Sequence, residues 1–228
     1  MDKKRVTLFA GHYGSGKTNI SVNYALMLRN EGNEVAIADL DIVNPYFRTK
    51  DSAELLRKNG IKLISSEFAN TNVDFPALPA ETYGIVQQHD CYAVIDVGGD
   101  DRGALALGRY TPFILEENNY EMLFVANFYR PLTRTAAEAL EVMREIEAAG
   151  GIPFTAIVNN SNLGRDTTPE DVESTVPTVK ELSRISGLPI KFTSVDERIY
   201  DKIKCIDSET VKLHLTERYY DIKEIKEN

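Results

Sequence analysis

Residues Gly11, His12, Tyr13, Gly14, Ser15, Gly16, Lys17 and Thr18 run consecutively. They fit the phosphate-loop pattern G-x-x-x-x-G-K-[ST] at every fixed position. In such a loop, glycines let backbone N–H groups curl around an anion without Cβ clashes. A helix beginning at the lysine adds unpaired N–H groups and a positive dipole end. The expected chemistry follows from residue type. Lys17 neutralises β- and γ-phosphates, and the Thr18 hydroxyl binds Mg²⁺. The apolar run Arg5–Ala10 before the loop reads as a buried strand, and Asn19–Arg29 after it as an amphipathic helix. Strand, glycine loop, helix is the context this motif requires.

Two further clusters carry carboxylates. Asp39 and Asp41 flank Leu40 at the end of a predicted strand, where ligands of open α/β sheets gather. Mg²⁺ retains several waters, and outer carboxylates hold them, a role that suits Asp39. Asp41, further into the loop, suits orienting or deprotonating an attacking water. In the second cluster an apolar strand ends in Asp96, followed by Val97, Gly98 and Gly99. Asp96 completes a metal shell in this reading, and a glycine N–H there can approach a γ-phosphate closely. Such loops order with a triphosphate and relax on hydrolysis.

The elements that must hold these residues alternate along the chain. Predicted strands are Arg5–Ala10, Glu34–Asp39, Ile61–Ser65, Tyr92–Val97, Glu121–Asn127, Phe154–Asn159 and Ile190–Ser194. Predicted helices are Lys17–Asn30, Asp51–Asn59, Ala80–Gln88, Leu132–Ala149, Pro169–Ser174 and Thr178–Ser186. This alternation predicts an α/β, doubly wound, mainly parallel sheet, and the phosphate loop after its first strand leads to the expectation of the P-loop NTPase fold. The segment Glu67–Pro79 reads as an irregular surface excursion, and residues 1–228 as a single nucleotide-binding domain. The tail, residues 205–228, mixes alternating Val211, Leu213 and Leu215 with helical spacing at Tyr219, Ile222 and Ile225. A terminal element packed on the domain is favoured over a membrane anchor, because the charges are mixed and the apolar face is thin.

Composition narrows the function. The chain has 228 residues, 43% of them hydrophobic, and a formal net charge of −9. That acidity argues against nucleic-acid binding and against anionic membranes. Its two cysteines, Cys91 and Cys205, form no metal or redox spacing, so no Fe–S cluster is expected. Cysteine scarcity and the lack of a signal-peptide core or membrane span lead to the expectation of a cytoplasmic protein.

As a set, the glycine loop, Asp39-Leu40-Asp41 with Pro45, and Asp96-Val97-Gly98-Gly99 resemble the MinD/ParA group of phosphate-loop ATPases. That group includes the arsenite-pump ATPase, the nitrogenase iron protein, and Mrp-type and nickel-insertion ATPases. The set is also similar to dethiobiotin synthetase and cobyrinate amidase relatives. The resemblance implies ATP as substrate and Mg²⁺ as cofactor. It implies nucleotide contacts from Gly11, His12, Tyr13, Gly14, Ser15, Gly16, Lys17, Thr18 and Asn19, with Gly98 and Gly99. Thr18, Asp39 and Asp96 would serve the metal, and Lys17 and Asp41 the reaction. Asn159 matches the family asparagine that reads adenine, with Asn160 its competitor by a one-residue shift. The guanine-reading pattern N-K-x-D is absent, since residues 159–162 are Asn, Asn, Ser and Asn. The stretch at Val195-Asp196 resembles the loop that closes over the base.

One position departs from that pattern. His12 stands where the family carries a second lysine, and an ordinary imidazole is mostly neutral near pH 7. The resemblance therefore does not carry ATP-driven dimerisation to this chain. Arg48, Arg102 and Arg130 are candidate replacements for the missing charge, although a surface cation is the commoner role. Tyr13, Tyr46 and Phe47 are aromatic residues suited either to a partner surface or to burial. The expected partners are ATP and either a protein or a second copy of the chain. The alternative is a small-molecule ligase or kinase of the dethiobiotin synthetase type, and a third reading is a nucleotide-binding module with negligible turnover.

Overall fold

The computed structural model describes residues 3–40, 52–65, 84, 90–99, 101–204, 206 and 208–213, with the side chains of 101 and 102 excepted. Its strands are β1 (Val6–Ala10), β2 (Val35–Leu40), β3 (Lys62–Ser65), β4 (Tyr92–Val97), β5 (Tyr120–Ala126), β6 (Ala156–Asn159), β7 (Ile190–Asp196) and β8 (Thr210–Leu213). They form one eight-stranded sheet in the order β3-β2-β4-β1-β5-β6-β7-β8. Every pairing in it is parallel. The helices are α1 (Lys17–Asn30), α2 (Ala53–Lys58), α3 (Asp101–Gly108), α4 (Thr111–Glu117), α5 (Ala136–Gly150), α6 (Pro169–Ser174) and α7 (Val176–Ser186).

A parallel sheet must be covered on both faces, and two buried clusters do so here. Val6, Leu8 and Ala10 of β1 pack with residues of α3, α4, α5 and α7, including Leu107, Ile114, Met143 and Leu182. Phe9 packs on the other face with Ile20, Ala25 and Leu28 of α1 and Leu56 of α2. The period of two has a direct consequence for the site. In β2, Val35 and Ile37 face α1, and in β4 so does Val94. Asp39 and Asp96 continue those alternations, so both fall on the α1 face.

Helix boundaries follow local chemistry. Thr135 and Glu138 form a reciprocal capping box at the start of α5, and Thr168 and Asp171 do the same for α6. The expected start of the long helix at Leu132 is thus corrected to Ala136, because residues 130–133 form a turn instead (Thr133 N–H to Arg130 O, 3.3 Å). Two short helices absent from the sequence reading, α3 and α4, fill the connection between β4 and β5. Part of the tail, residues 210–213, is the eighth strand and pairs with β7. The excursion 67–79, most of the helix predicted at 80–88, and residues 214–228 lie outside the described residues. Among the described residues no helix is long and apolar enough to cross a membrane.

Candidate nucleotide site

β1 lies inside the sheet between β4 and β5, so its carboxyl end opens onto loops from both neighbours. The glycine loop leaves that end and turns directly into α1. Gly14 and Gly16 have φ of 75° and 88°, values that side chains with a Cβ rarely adopt. Gly16 caps α1 without any side-chain hydrogen bond to the first turn. The first turn of α1 thus starts at the loop with no side chain capping it, the arrangement found where a helix N-terminus receives an anion.

Close packing holds the loop. A Cβ on Gly11 would overlap the carbonyl oxygen of Val125 in β5, and one on Gly16 would overlap the Asn160 amide. The loop closes on itself through the Ser15 N–H, which donates to His12 O at 3.1 Å. Ser15 is buried, and its Oγ has no hydrogen-bond partner among the described residues. An unpaired buried hydroxyl costs about 1–3 kcal/mol, a cost that a polar ligand in the loop would relieve. His12 Nδ1 lies 3.0 Å from Tyr13 O. Because that oxygen can only accept, the nitrogen carries the proton. Tyr13 is 48% exposed at the mouth of the loop. Asn19 lies one residue beyond Thr18 in the first turn of α1.

On the β4 side of β1 the two carboxylate motifs converge with the loop. Asp39 and Asp96 are register partners on adjacent strands. Asp96 is fully buried and accepts from Ser21 Oγ at 3.4 Å, while the same hydroxyl donates to Lys17 O at 2.9 Å. Thr18 is buried in the same turn of α1. Lys17 is buried too, with its Nζ donating to His12 O at 3.4 Å. Gly99 lies against both, since a Cβ there would stand 2.8 Å from Lys17 Nζ and 2.8 Å from Tyr13 N. The Asp-x-Gly-Gly loop thus sits on the phosphate-loop lysine, and Gly98 in turn packs against Gly103 of α3.

Among the described residues no group of three or more His, Cys, Asp or Glu gathers into a metal cage. Mg²⁺ is usually held by one or two carboxylates together with substrate phosphates. Thr18, Asp39 and Asp96 supply oxygen donors of the right kind on one face of the sheet.

The β6–β7 side has a different character. Asn160 is buried, donates from Nδ2 to Ser15 O at 2.7 Å, and accepts from Ser194 Oγ at 2.5 Å. Asn159 is also buried. Its Nδ2 donates to Thr175 Oγ1 at 3.1 Å, and its Oδ1 accepts from Ser161 N and Oγ at 3.2 and 2.7 Å. The two asparagines therefore differ in what they hold. Asn160 braces the phosphate loop, and Asn159 braces the loop that follows its own strand. Beside them is a small cleft lined by Asn162, Thr167 and Asp196, among others. Asp196, at the end of β7, is paired bidentately with Arg198 at 2.5–3.0 Å. From β5 comes a residue the sequence offered only as one of three cations. Arg130 Nε donates to Gly14 O at 3.0 Å. Asp41, Arg48, Tyr46 and Phe47 lie outside the described residues, as does the side chain of Arg102.

No family model matches this sequence, and no curated protein matches it. Solved structures do. The cell division protein FtsY of Thermotoga maritima is 20% identical with a TM-score of 0.55, over 83% of this chain and 61% of that one. The signal recognition particle receptor FtsY of Elizabethkingia anophelis is 19% identical with a TM-score of 0.53, over 91% and 63%. The signal recognition particle 54 kDa protein of Aeropyrum pernix, solved with GDP, is 15% identical with a TM-score of 0.50, over 82% and 40%. This chain spans about three fifths of the FtsY structures. At such identities the likeness is one of fold. The parallel sheet with flanking helices is the P-loop NTPase α/β fold.

Proposed function

We propose that the chain is a Mg²⁺-dependent ATP-binding protein that hydrolyses ATP to ADP and phosphate and acts as a nucleotide switch or assembly factor of the MinD/ParA kind. The observation that carries this reading is the seating of Gly99 on Lys17 and Tyr13, beside the aligned pair Asp39 and Asp96. Three sequence-distant motifs thereby meet at the mouth of one loop. In this reading the uncapped first turn of α1 receives the phosphates, Lys17 neutralises their outer charge, and Thr18, Asp39 and Asp96 hold the metal. Mg²⁺ held there would supply positive charge to offset the negative charge of the phosphates. Asp41 orients the attacking water. The nucleoside extends toward β6 and β7, where reading adenine at Asn159 would require its side chain to exchange the bonds to Thr175 and Ser161 for bonds to the base. The choice of ATP over GTP rests on the missing N-K-x-D pattern at residues 159–162. A change at the Gly98-Gly99 loop on hydrolysis is what a protein partner, or a second copy, would read.

The test is calorimetric titration of ATP, GTP and ADP with Mg²⁺ into wild type and Lys17→Ala, followed by phosphate-release kinetics. The expected result is ATP binding in preference to GTP, slow phosphate release, and loss of both in Lys17→Ala with the thermal transition retained. Tight GTP binding with weak ATP binding would overturn the base assignment. Turnover appearing only with an added small acid or alcohol would move the function to a ligase or kinase.

A further inference from the structure

We propose that Arg130 is a phosphate-binding residue. Its guanidinium hooks onto Gly14 O through Nε and turns its Nη groups to the nucleoside-proximal phosphates of the bound nucleotide. This deepens the reading above and rests on it.

Four observations converge. The first is donor accounting. Nε is occupied by Gly14 O at 3.0 Å, while among the described residues no acceptor pairs with the Nη groups. A guanidinium carries five N–H donors, so four remain beside a loop built to receive an anion. The second is the charge of the loop itself. Lys17 is its only cationic side chain, His12 stands second in it, and the whole chain carries −9. A nucleotide brings several negative charges to that place, and a second cation there lowers the repulsion.

The third observation is direction. Lys17, Gly99, Asp96 and Asp39 lie on the β4 side of β1, whereas Arg130 follows β5 on the other side, the side shared with β6 and β7. A nucleotide with its metal and outer phosphate toward β4 presents its inner phosphates toward β5. The fourth is preorganisation. The Asn127–Thr133 turn is pinned by Arg130 N to Asn127 O (3.1 Å), by Thr133 Oγ1 to Asn127 O (2.8 Å), and by Tyr129 N to Asn127 Oδ1 (3.1 Å). Within it Leu132 has φ of 64° while 62% exposed. That backbone conformation is strained for a branched side chain, and no burial of Leu132 rewards it. The turn's own hydrogen bonds hold Leu132 in that conformation and with it the main chain from which Arg130 projects.

The experiment measures the affinities of ADP and of a non-hydrolysable ATP analogue for wild type, Arg130→Ala and Arg130→Lys at two salt concentrations. Thermal melts of the nucleotide-free proteins accompany it. Contacts to inner phosphates exist in both nucleotides, so Arg130→Ala should weaken both together, by about 10- to 100-fold. Arg130→Lys should recover part of the loss, and salt should matter less to the alanine variant than to wild type. ADP binding within about 3-fold of wild type in Arg130→Ala overturns the inference. So does weakening of the analogue alone, which would put the contact on the outer phosphate. Equal weakening with unchanged salt dependence and a lowered melting temperature also overturns it, since that is the signature of a brace on Gly14 and nothing more. If wild type binds neither nucleotide while its melt is cooperative, the proposed function itself fails, and this inference falls with it.

Discussion

Asn160 gives the sharpest test of how the loop is built. Its amide donates to Ser15 O at 2.7 Å and accepts from Ser194 Oγ at 2.5 Å, in a position 2% exposed. Truncation to alanine removes both bonds and leaves a buried carbonyl and a buried hydroxyl each short of one partner. At a net value of about 0.5–1.5 kcal/mol per bond, the two together cost about 1–3 kcal/mol. For a protein of this size that corresponds to a fall of about 2–12 °C in melting temperature. If the same free energy must be restored when nucleotide reorders the loop, affinity falls about 5- to 150-fold. The loss should be equal for ATP and GTP, because the amide holds the loop backbone and not the base. Asn160→Asp should be worse than alanine. A carboxylate cannot donate to Ser15 O, and it places negative charge beneath a loop meant for phosphate. The assay is a melt and a calorimetric titration of both nucleotides against the two variants. A changed ratio of ATP to GTP affinity, with the melt unmoved, would refute the bracing argument and return Asn160 to base recognition.

Gly99→Ala should act on the opposite side of β1. Its Cβ would stand 2.8 Å from the Tyr13 backbone nitrogen, an overpacking cost of about 1–3 kcal/mol. The ratio of ATP-analogue to ADP affinity should fall, and an unchanged ratio and melt would remove Gly99 from the site. Tyr24 provides a pH prediction. Burial raises its pKa well above the ordinary 10.0, with Glu121 adding to the effect. The folded state therefore keeps a proton that the unfolded state loses above pH 10, so the stability it contributes is full below that pH and declines as pH rises through it. Tyr24→Phe should flatten the alkaline limb of the melting-temperature profile; superimposable limbs would contradict the assignment.

Much of this arrangement was legible in the sequence because its signals are local. The ends of α1, β4 and α6 coincide with those read from hydrophobic pattern and capping residues. Thr135 and Glu138 carry a capping-box signal that marks the start of α5 at Ala136, four residues after Leu132, from which the polar residues Thr133, Arg134 and Thr135 separate it. The misses have physical causes. Helix α3 contains Gly103 and ends at Gly108, residues that lower helix propensity. Gly103 also approaches Gly98 closely, a contact no periodicity encodes. Strand β8 is four residues long with Lys212 among them, and its alternation at Val211 and Leu213 stands beside helical spacing further along the tail, so neither type is decided.

The roles of Arg130 and Asn160 could not have been read locally, because they exist only through the strand order. Arg130 is 116 positions from Gly14, and Asn160 is 145 from Ser15. Both meet the loop because β5 and β6 lie in succession beside β1. The same order brings Asp96 and Gly99 to the loop from the other flank. This division makes the two variants separable. A change at Gly99 should alter discrimination between triphosphate and diphosphate, and a change at Arg130 should lower both affinities and leave their ratio alone. Were both variants to shift the ratio, the two sides of β1 would not be reading different ends of the phosphate chain, and the orientation proposed for the nucleotide across the sheet would have to be abandoned.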